Sequence, residues 1–463
     1  MGIEIDIVWL TVLMFGSLAV LLMLGLPLSF VTGGLGCMYL FMFGSVSELN
    51  ILPSRIFPFM TNYQLSAIPL FIFMAAMLER AGLIQELFDV VYKLLGGLRG
   101  GLASATIVSS TILAAMVGVI GATEVAMGLL ALPAMLKRNY NPHIACGSIL
   151  AGGTLGILIP PSILAILFAV VAQQSVGDLF IGAIFPGLLL SGMYIAYVTL
   201  RCYINPAAGP ALAVEERVGI GEKIRLLSSI IKPVLLIVLV LGVIFTGVAT
   251  PVEAAGIGTF GAIFVSASYR RLSWATIQEA ALTTLKASAM VLWIIFGASI
   301  FVGFYILQGG QQFVADTLIG TGLGPYGILL IMMIVLVILG MFLDWVGILL
   351  LAVPIFMPIL LQMDFTGLLG FDGPTVGITD PDKKREALQL WFGVVYMVNM
   401  QMSFLSPPFG YALFYLKSVA PPEISMGTIF ASAIPFLILQ AIGLAFCIIF
   451  PQLILWLPGL VYG

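Results

Sequence analysis

The chain has 463 residues, of which 61% are apolar and only 8% charged, whereas soluble domains carry about 25% charged residues. So few charges cannot cover a water-facing surface of this size, which excludes a soluble enzyme and leaves lipid as the solvent. A formal net charge of −3 offers no basic footprint for nucleic acid.

A membrane span needs roughly 20 apolar residues. Hydropathy predicts spans, in chain order, near 8–26, 28–44, 66–80, 143–173, 179–200, 232–248, 251–268, 287–307, 388–418 and 425–450. The first reads as a retained span rather than a leader, because no basic residue precedes it and Gly25-Leu26-Pro27 runs straight into the second. The apolar stretches 101–136 and 325–363 are too long for one crossing and are interrupted, the first at Gly118 to Thr123, the second near Gly340 and Asp344. Both are predicted to be re-entrant hairpins. Segments 83–96, 273–285 and 309–319 are too polar to span and are predicted to lie as amphipathic arms on the membrane surface. Cys37, Cys146, Cys202 and Cys447 share no metal-ligand spacing, and the lone His143 sits at the mouth of an apolar run. No disulfide framework or resident metal is expected.

If each hairpin leaves on the side it entered, all but four of the 18 Lys and Arg fall on one side. The four are Arg55 and the cluster Lys383-Lys384-Arg385, which lies in a polar insert over 364–387. The excess of positive charge marks the cytoplasmic side, so both termini are expected in the periplasm.

Proline landmarks recur. Pro27 and Pro251 lie 224 apart, Pro133 and Pro354 221, Pro160-Pro161 and Pro407-Pro408 247, Pro186 and Pro435 249. The single jump in offset is about the length of the polar insert. Residues 1–230 and 231–463 are therefore predicted to be two repeats. Each holds spans, a hairpin and a broken span, and makes an odd number of crossings, so the second half enters the membrane upside down. Such inverted-topology repeats place a substrate site near the midplane. The expected fold is an all-α polytopic membrane protein, with 101–173 and 325–418 forming a transport part and the rest a scaffold.

Spans 143–173 and 388–418 each carry a Pro-Pro pair, which removes two amide donors and disfavours helix at the residue before it. Broken helices survive in lipid only when buried or facing a cavity, and a bound cation can replace the lost donors. Sodium prefers hard oxygen ligands, which points to Gly118, Thr154, Pro160, Gly340, Asp344, Ser403, Ser406 and Pro407. Half-helices beginning near Thr123, Ser162, Asp344 and Phe409 would turn their N–H groups inward, as an anion requires. Thr123, Gly153, Ser162 and Phe409 are accordingly the candidate substrate residues. A charge at bilayer depth costs at least ~2.5 kcal/mol, so Glu124 and Asp344 are expected either to attract a cation or proton or to cap a half-helix. Glu253, just after Pro251, is expected to be a cap.

The run Gly152-Gly153-Thr154-Leu155-Gly156-Ile157-Leu158-Ile159-Pro160-Pro161-Ser162, with Phe185-Pro186-Gly187 and Gly340-Met341-Phe342-Leu343-Asp344, strongly resembles the large membrane subunit of tripartite ATP-independent periplasmic (TRAP) transporters. The resemblance runs the whole chain. It implies a sodium-driven, elevator-type secondary transporter of the ion transporter superfamily in the bacterial inner membrane. It also implies two separate partners, a small four-helix membrane subunit and a periplasmic substrate-binding protein. Many members carry Ser-Gly-Ser-Ser at the first hairpin tip; this chain instead has Gly118 to Glu124, and looks more like the branch for 2-oxo acids, lactate, mannitol or chloroaromatic acids. The expected cargo is a small organic anion with Na+. A stand-alone sodium/organic-anion symporter is the alternative, and a channel is less well supported because no ring of lining charges is present.

Overall fold

The computed structural model describes residues 5–118, 120–212, 218–408 and 410–462. Val119, Phe409 and Arg217, the last counted among the cytoplasmic charges, lie outside the described residues.

The first half opens with α1 (Ile7–Met23) and α2 (Leu28–Phe43). Then come α3 (Ile51–Met60) and α4 (Ala67–Arg80), two parts of one path bent by 56°. Helix α5 (Leu83–Leu95) is the first arm, with Leu83, Ile84, Leu87, Phe88, Val90 and Val91 on its buried side. Helices α6 (Gly101–Val117) and α7 (Ile120–Lys137) form the first hairpin. They lead to α8 (Pro142–Thr154) and α9 (Ile163–Ala172), the first broken span, and to α10 (Val176–Ile204).

After α11 (Ile220–Ser229) the series repeats with α12 (Ile231–Phe245), α13 (Pro251–Ser268), α14 (Trp274–Leu307) and the arm α15 (Gly310–Ile319). The second hairpin is α16 (Pro325–Gly340) with α17 (Trp345–Leu360), and the second broken span is α18 (Pro381–Leu405) with α19 (Tyr411–Val419). Between α17 and α18, β1 (Gly367–Leu368) and β2 (Phe371–Asp372) make a small antiparallel ribbon. Helices α20 (Met426–Ile449) and α21 (Gln452–Tyr462) end the chain. Five of the described helices are long and apolar enough to cross a membrane, or seven if each bent pair counts once.

The landmark prolines occupy equivalent places in equivalent helices. Pro27 precedes α2 and Pro251 opens α13, while Pro133 and Pro354 lie inside α7 and α17, and Pro186 and Pro435 inside α10 and α20. Packing follows the same rule: α2 lies against α14 as α13 lies against α4, and α7 against α19 as α17 against α9. The hairpin of each half is thus completed by the broken span of the other.

Two expected boundaries change. Segment 273–285 is no separate arm but the start of α14, a continuous helix of 34 residues. Ser273 caps it, and no Gly or Pro interrupts 274–296. At 1.5 Å per residue α14 is about 50 Å long, against ~30 Å of bilayer core. The polar insert ends earlier than 387, because Asp380 accepts from the Asp382 N–H at 2.9 Å and Pro381 opens α18 there. The charges that suggested a loop are the exposed first turns of that helix, built from good helix formers. Helices α3, α11 and α21 were not expected. Glu253 behaves as foreseen, in a reciprocal capping box with Thr250.

Candidate functional site

Each hairpin tip lands on the break of a broken span. Helix α6 ends at Gly118, with φ +63°, and a Cβ there would come within 2.6 Å of the Pro161 carbonyl oxygen. Only glycine combines that left-handed turn with so close an approach. On the other side α16 ends at Gly340, where a Cβ would overlap that of Ser403. The Ser403 hydroxyl is 3.3 Å from the Leu336 carbonyl, and Asn399 Nδ2 donates to the Met333 carbonyl at 3.2 Å, so α18 is held to the last turns of α16.

The breaks themselves match. Helix α8 passes through a 3-10 turn at Leu155–Ile157 to Pro160-Pro161, and α18 ends just before Pro407-Pro408. Both Pro-Pro bonds are cis. Four residues on from Gly156 and from Ser403 stand prolines, which have no N–H to give those carbonyls; the Ser403 carbonyl accepts from the Ser406 N–H at 3.4 Å instead. Ser162 caps α9, accepting from the Ala165 N–H at 3.4 Å and donating to the Ile157 carbonyl. Ser406 donates to the Met402 carbonyl at 2.7 Å. Asp344 caps α17, accepting from the Val346 N–H at 3.4 Å.

The structure thus brings Gly118 to Pro160-Pro161 and Ser162, and Gly340 to Ser403, with Ser406 and Pro407 following on the same break and Asp344 at the hairpin turn. Helix α7 begins at Ile120 rather than near Thr123, so Thr123 lies within its first turn and is fully buried. Gly153 is covered by Glu124, since a Cβ there would run into the Glu124 side chain. Glu124 itself is no cap: it lies beyond the first turn of α7. Phe409, a candidate anion contact, is outside the described residues.

Thr154 points elsewhere. Its hydroxyl donates to the Ala151 carbonyl at 2.9 Å, accepts from Gln440 Nε2 at 3.3 Å and lies 3.5 Å from Gln401 Oε1, which the Tyr194 hydroxyl also approaches at 3.5 Å. This fully buried group joins α8, α10, α18 and α20. The sequence reading missed Gln401, Gln440 and Tyr194. A signal was present: Gln401 follows Thr154 at the same offset that separates the Pro-Pro pairs. Among the described residues no group of three or more His, Cys, Asp and Glu could hold a metal ion; the oxygens on offer at the tips are carbonyls, hydroxyls and the carboxylates of Glu124 and Asp344.

Residues 15–453 match the family described as "Tripartite ATP-independent periplasmic transporter, DctM component". The C4-dicarboxylate TRAP transporter large permease protein DctM of Pseudomonas aeruginosa is 30% identical over 418 residues, covering 90% of this chain and 91% of that protein. The sialic acid TRAP transporter large permease protein SiaM of Vibrio cholerae is 28% identical over 450 residues, 97% of this chain and 98% of the relative. Among solved structures, the YdaH transporter of Alcanivorax borkumensis superposes with a TM-score of 0.61 at 14% identity, over 96% of this chain and 99% of that one, a likeness of fold. The chain is a multi-pass membrane permease subunit and not an enzyme, and it belongs to the DctM component family of tripartite ATP-independent periplasmic transporters.

Proposed function

We propose that the chain imports a small organic anion together with Na+ across the bacterial inner membrane, by an elevator movement, with both termini in the periplasm. The observation that carries this reading is the meeting of each hairpin tip with a Pro-Pro break, Gly118 on Pro161 and Gly340 on Ser403. Two such junctions in repeats of opposite orientation give a site that can face either side in turn. Na+ is cargo here. Its oxygens are the carbonyls around Gly118 and Pro160 at one junction, and Gly340, Ser403, Ser406, Pro407 and Asp344 at the other. Thr154 supports the first junction from below, since its hydroxyl is engaged in the core. The anion carboxylate lies between the junctions, near Thr123 and Gly153, against the amide ends of α9 at Ser162 and of α19 beyond Phe409.

The moving body contains α6–α9 and α16–α19, the regions 101–173 and 325–418. The Thr154–Gln440 and Gln401–Tyr194 contacts add α10 and α20 to it, because sliding α8 and α18 past those helices would strand buried polar groups without partners. Helices α1–α4 and α12–α14, packed through α2 on α14 and α4 on α13, form the static frame.

The cargo belongs to the carboxylates, 2-oxo acids or lactate-like acids in particular, delivered by a periplasmic binding protein, with a small four-helix membrane subunit beside the frame. The test is uptake of labelled C3 to C6 organic acids into proteoliposomes holding this chain and its small subunit, with and without an inward Na+ gradient and the binding protein. Uptake that requires both additions supports the reading. Uptake without the binding protein favours a stand-alone symporter, and Na+ leak without cargo favours a channel.

A further inference from the structure

Glu124 lies in the interior of the proposed moving body, next to Thr123 and over Gly153 of the proposed anion site, but is itself none of the proposed sodium or anion contacts. It is 0% exposed, and neither carboxylate oxygen has a hydrogen-bond partner among the described residues. The face of α7 that carries it is built for close contact. Gly121, one turn before it, meets the hydroxyl-bearing end of the Tyr415 ring, where a Cβ would come within 3.0 Å of Cζ. Gly128, one turn after it, packs on Leu416 and Val419 of α19. Between them the Glu124 side chain lies over Gly153 of α8, so closely that no Cβ fits there. On the preceding residue of α8, Gly152 meets Ser110 of α6, whose buried hydroxyl also lacks a partner among the described residues.

An ionised carboxylate in such a place, with no donor and no cation beside it, is in the costliest state a side chain can occupy. The groups around α7 do not supply a counter-charge. Helix α8 offers His143 and Cys146 two or more turns away toward its start. Helix α6 has no titratable residue. Helix α19 presents Tyr411, Tyr415 and Lys417, with the Lys417 ammonium donating to the Ile424 carbonyl at 2.7 Å. Across the opposite side of α7, Glu79 and Arg80 share a cleft with Val125, Ala126 and Leu129. Tyr415 is 41% exposed, so the ring over Gly121 is the boundary between Glu124 and the outside of the body.

We propose that Glu124 is a proton-carrying site of the moving body: it takes up a proton when the body faces the periplasm, crosses as the neutral acid in the packing seen here, returns the proton to water on the cytoplasmic side, and resets as the carboxylate with the contact of Tyr415 on Gly121 opened to water. The proton adds to the carboxylate oxygen on one side and leaves the same oxygen on the other, so the step is balanced without a further reactant. One proton then accompanies the organic anion in addition to Na+. The inference rests on the transport reading above.

The experiment uses the complex of this chain, its small subunit and binding protein. In the detergent-purified complex, infrared difference spectroscopy on H2O/D2O exchange should show a carboxylic-acid C=O band that Glu124→Gln removes. A spectrum without that band, or with the band intact in the variant, shows Glu124 ionised and overturns the proposal. In proteoliposomes given the C3 to C6 acid panel at equal Na+ on both sides, an inward gradient of about one pH unit should raise accumulation about tenfold relative to protein-free vesicles. Glu124→Gln should abolish that rise while keeping Na+-driven uptake, and Glu124→Asp should keep the rise. A rise unchanged in Glu124→Gln, or absent in the wild-type complex that still takes up acid on a Na+ gradient, overturns proton carriage. Failure of all Na+-driven uptake in the wild-type complex would instead sink the underlying transport reading, and the infrared band would then decide by itself whether Glu124 holds a proton. If Glu124→Gln does not fold, Glu124→Asp decides by the infrared band: a carboxylic-acid C=O band displaced from its wild-type position supports the proposal, and a band identical to that of the wild type overturns it.

Discussion

Thr154 Oγ1 and Gln401 Oε1 lie 3.5 Å apart, and the 247 residues that separate them in sequence are the offset that separates Pro160 from Pro407. Symmetry-equivalent positions of the two halves touch, so the axis relating the repeats passes close to this contact. Gln440 and Tyr194 close the group from α20 and α10. The polar atoms around that axis tie both broken spans and both following helices into one unit.

Removing a member of this group leaves its partners buried and unsatisfied. Gln440→Leu takes the donor from Thr154 and is expected to lower stability by about 1–3 kcal/mol, read as a lower melting temperature of the purified protein. In a double-mutant cycle with Thr154→Val the two losses should be less than additive by at least ~0.5 kcal/mol. Strict additivity would show that the contact carries no energy.

At the second tip the close fit of Gly340 on Ser403 makes a size prediction. Gly340→Ala inserts a methyl where the Ser403 Cβ stands, an overpacking worth about 1–3 kcal/mol. It should cut uptake at least about tenfold while leaving the protein in the membrane. Adding Ser403→Gly should restore part of the loss, measured as initial uptake rate, although Ser403 is also a proposed Na+ ligand. A double variant no better than Gly340→Ala would place the defect elsewhere.

Asp344 caps α17 and is a proposed Na+ ligand, two roles that substitutions can separate. Asp344→Asn keeps an oxygen to accept from Val346 and so keeps the cap, but loses the charge; it should raise the Na+ concentration for half-maximal uptake with little change in melting temperature. Asp344→Ala should do both, with a stability loss of about 1 kcal/mol. Equal Na+ dependence in Asp344→Asn and wild type would remove Asp344 from the ion site.

The proposed frame and moving body touch where Gly347 of α17 lies against Leu28 at the start of α2. In a background with the four native cysteines replaced, a Leu28→Cys/Gly347→Cys pair should cross-link on mild oxidation, and the cross-link should stop uptake until reductant is added. Full transport by the cross-linked protein would mean that these helices do not separate during the cycle.

Much of the site was legible in the chain because its signals are local. Gly118 and Gly340 end helices, and two Pro-Pro pairs remove amide donors wherever the chain goes, so the hairpins and breaks follow from backbone chemistry. Asp344 and Ser162, each just before an apolar run, are the caps such positions favour. The surroundings of Thr154 were not legible for the opposite reason. A hydroxyl next to a break has no local rule telling it which way to face, and only the packing of α20, 286 residues away, turns it into the core.

Composition by itself determined that this chain lives in lipid, and the repeat of prolines determined that it has two similar halves, since both follow from residue types and spacing alone. Tertiary structure decided what those halves do to each other: that α7 is completed by α19 and α17 by α9, that Glu124 is sealed over Gly153 rather than capping a helix, and that α14 runs unbroken through a segment whose polarity suggested a surface arm. These outcomes depend on which helix faces meet across hundreds of residues. Steric fit sets that in three dimensions, and no local pattern encodes it.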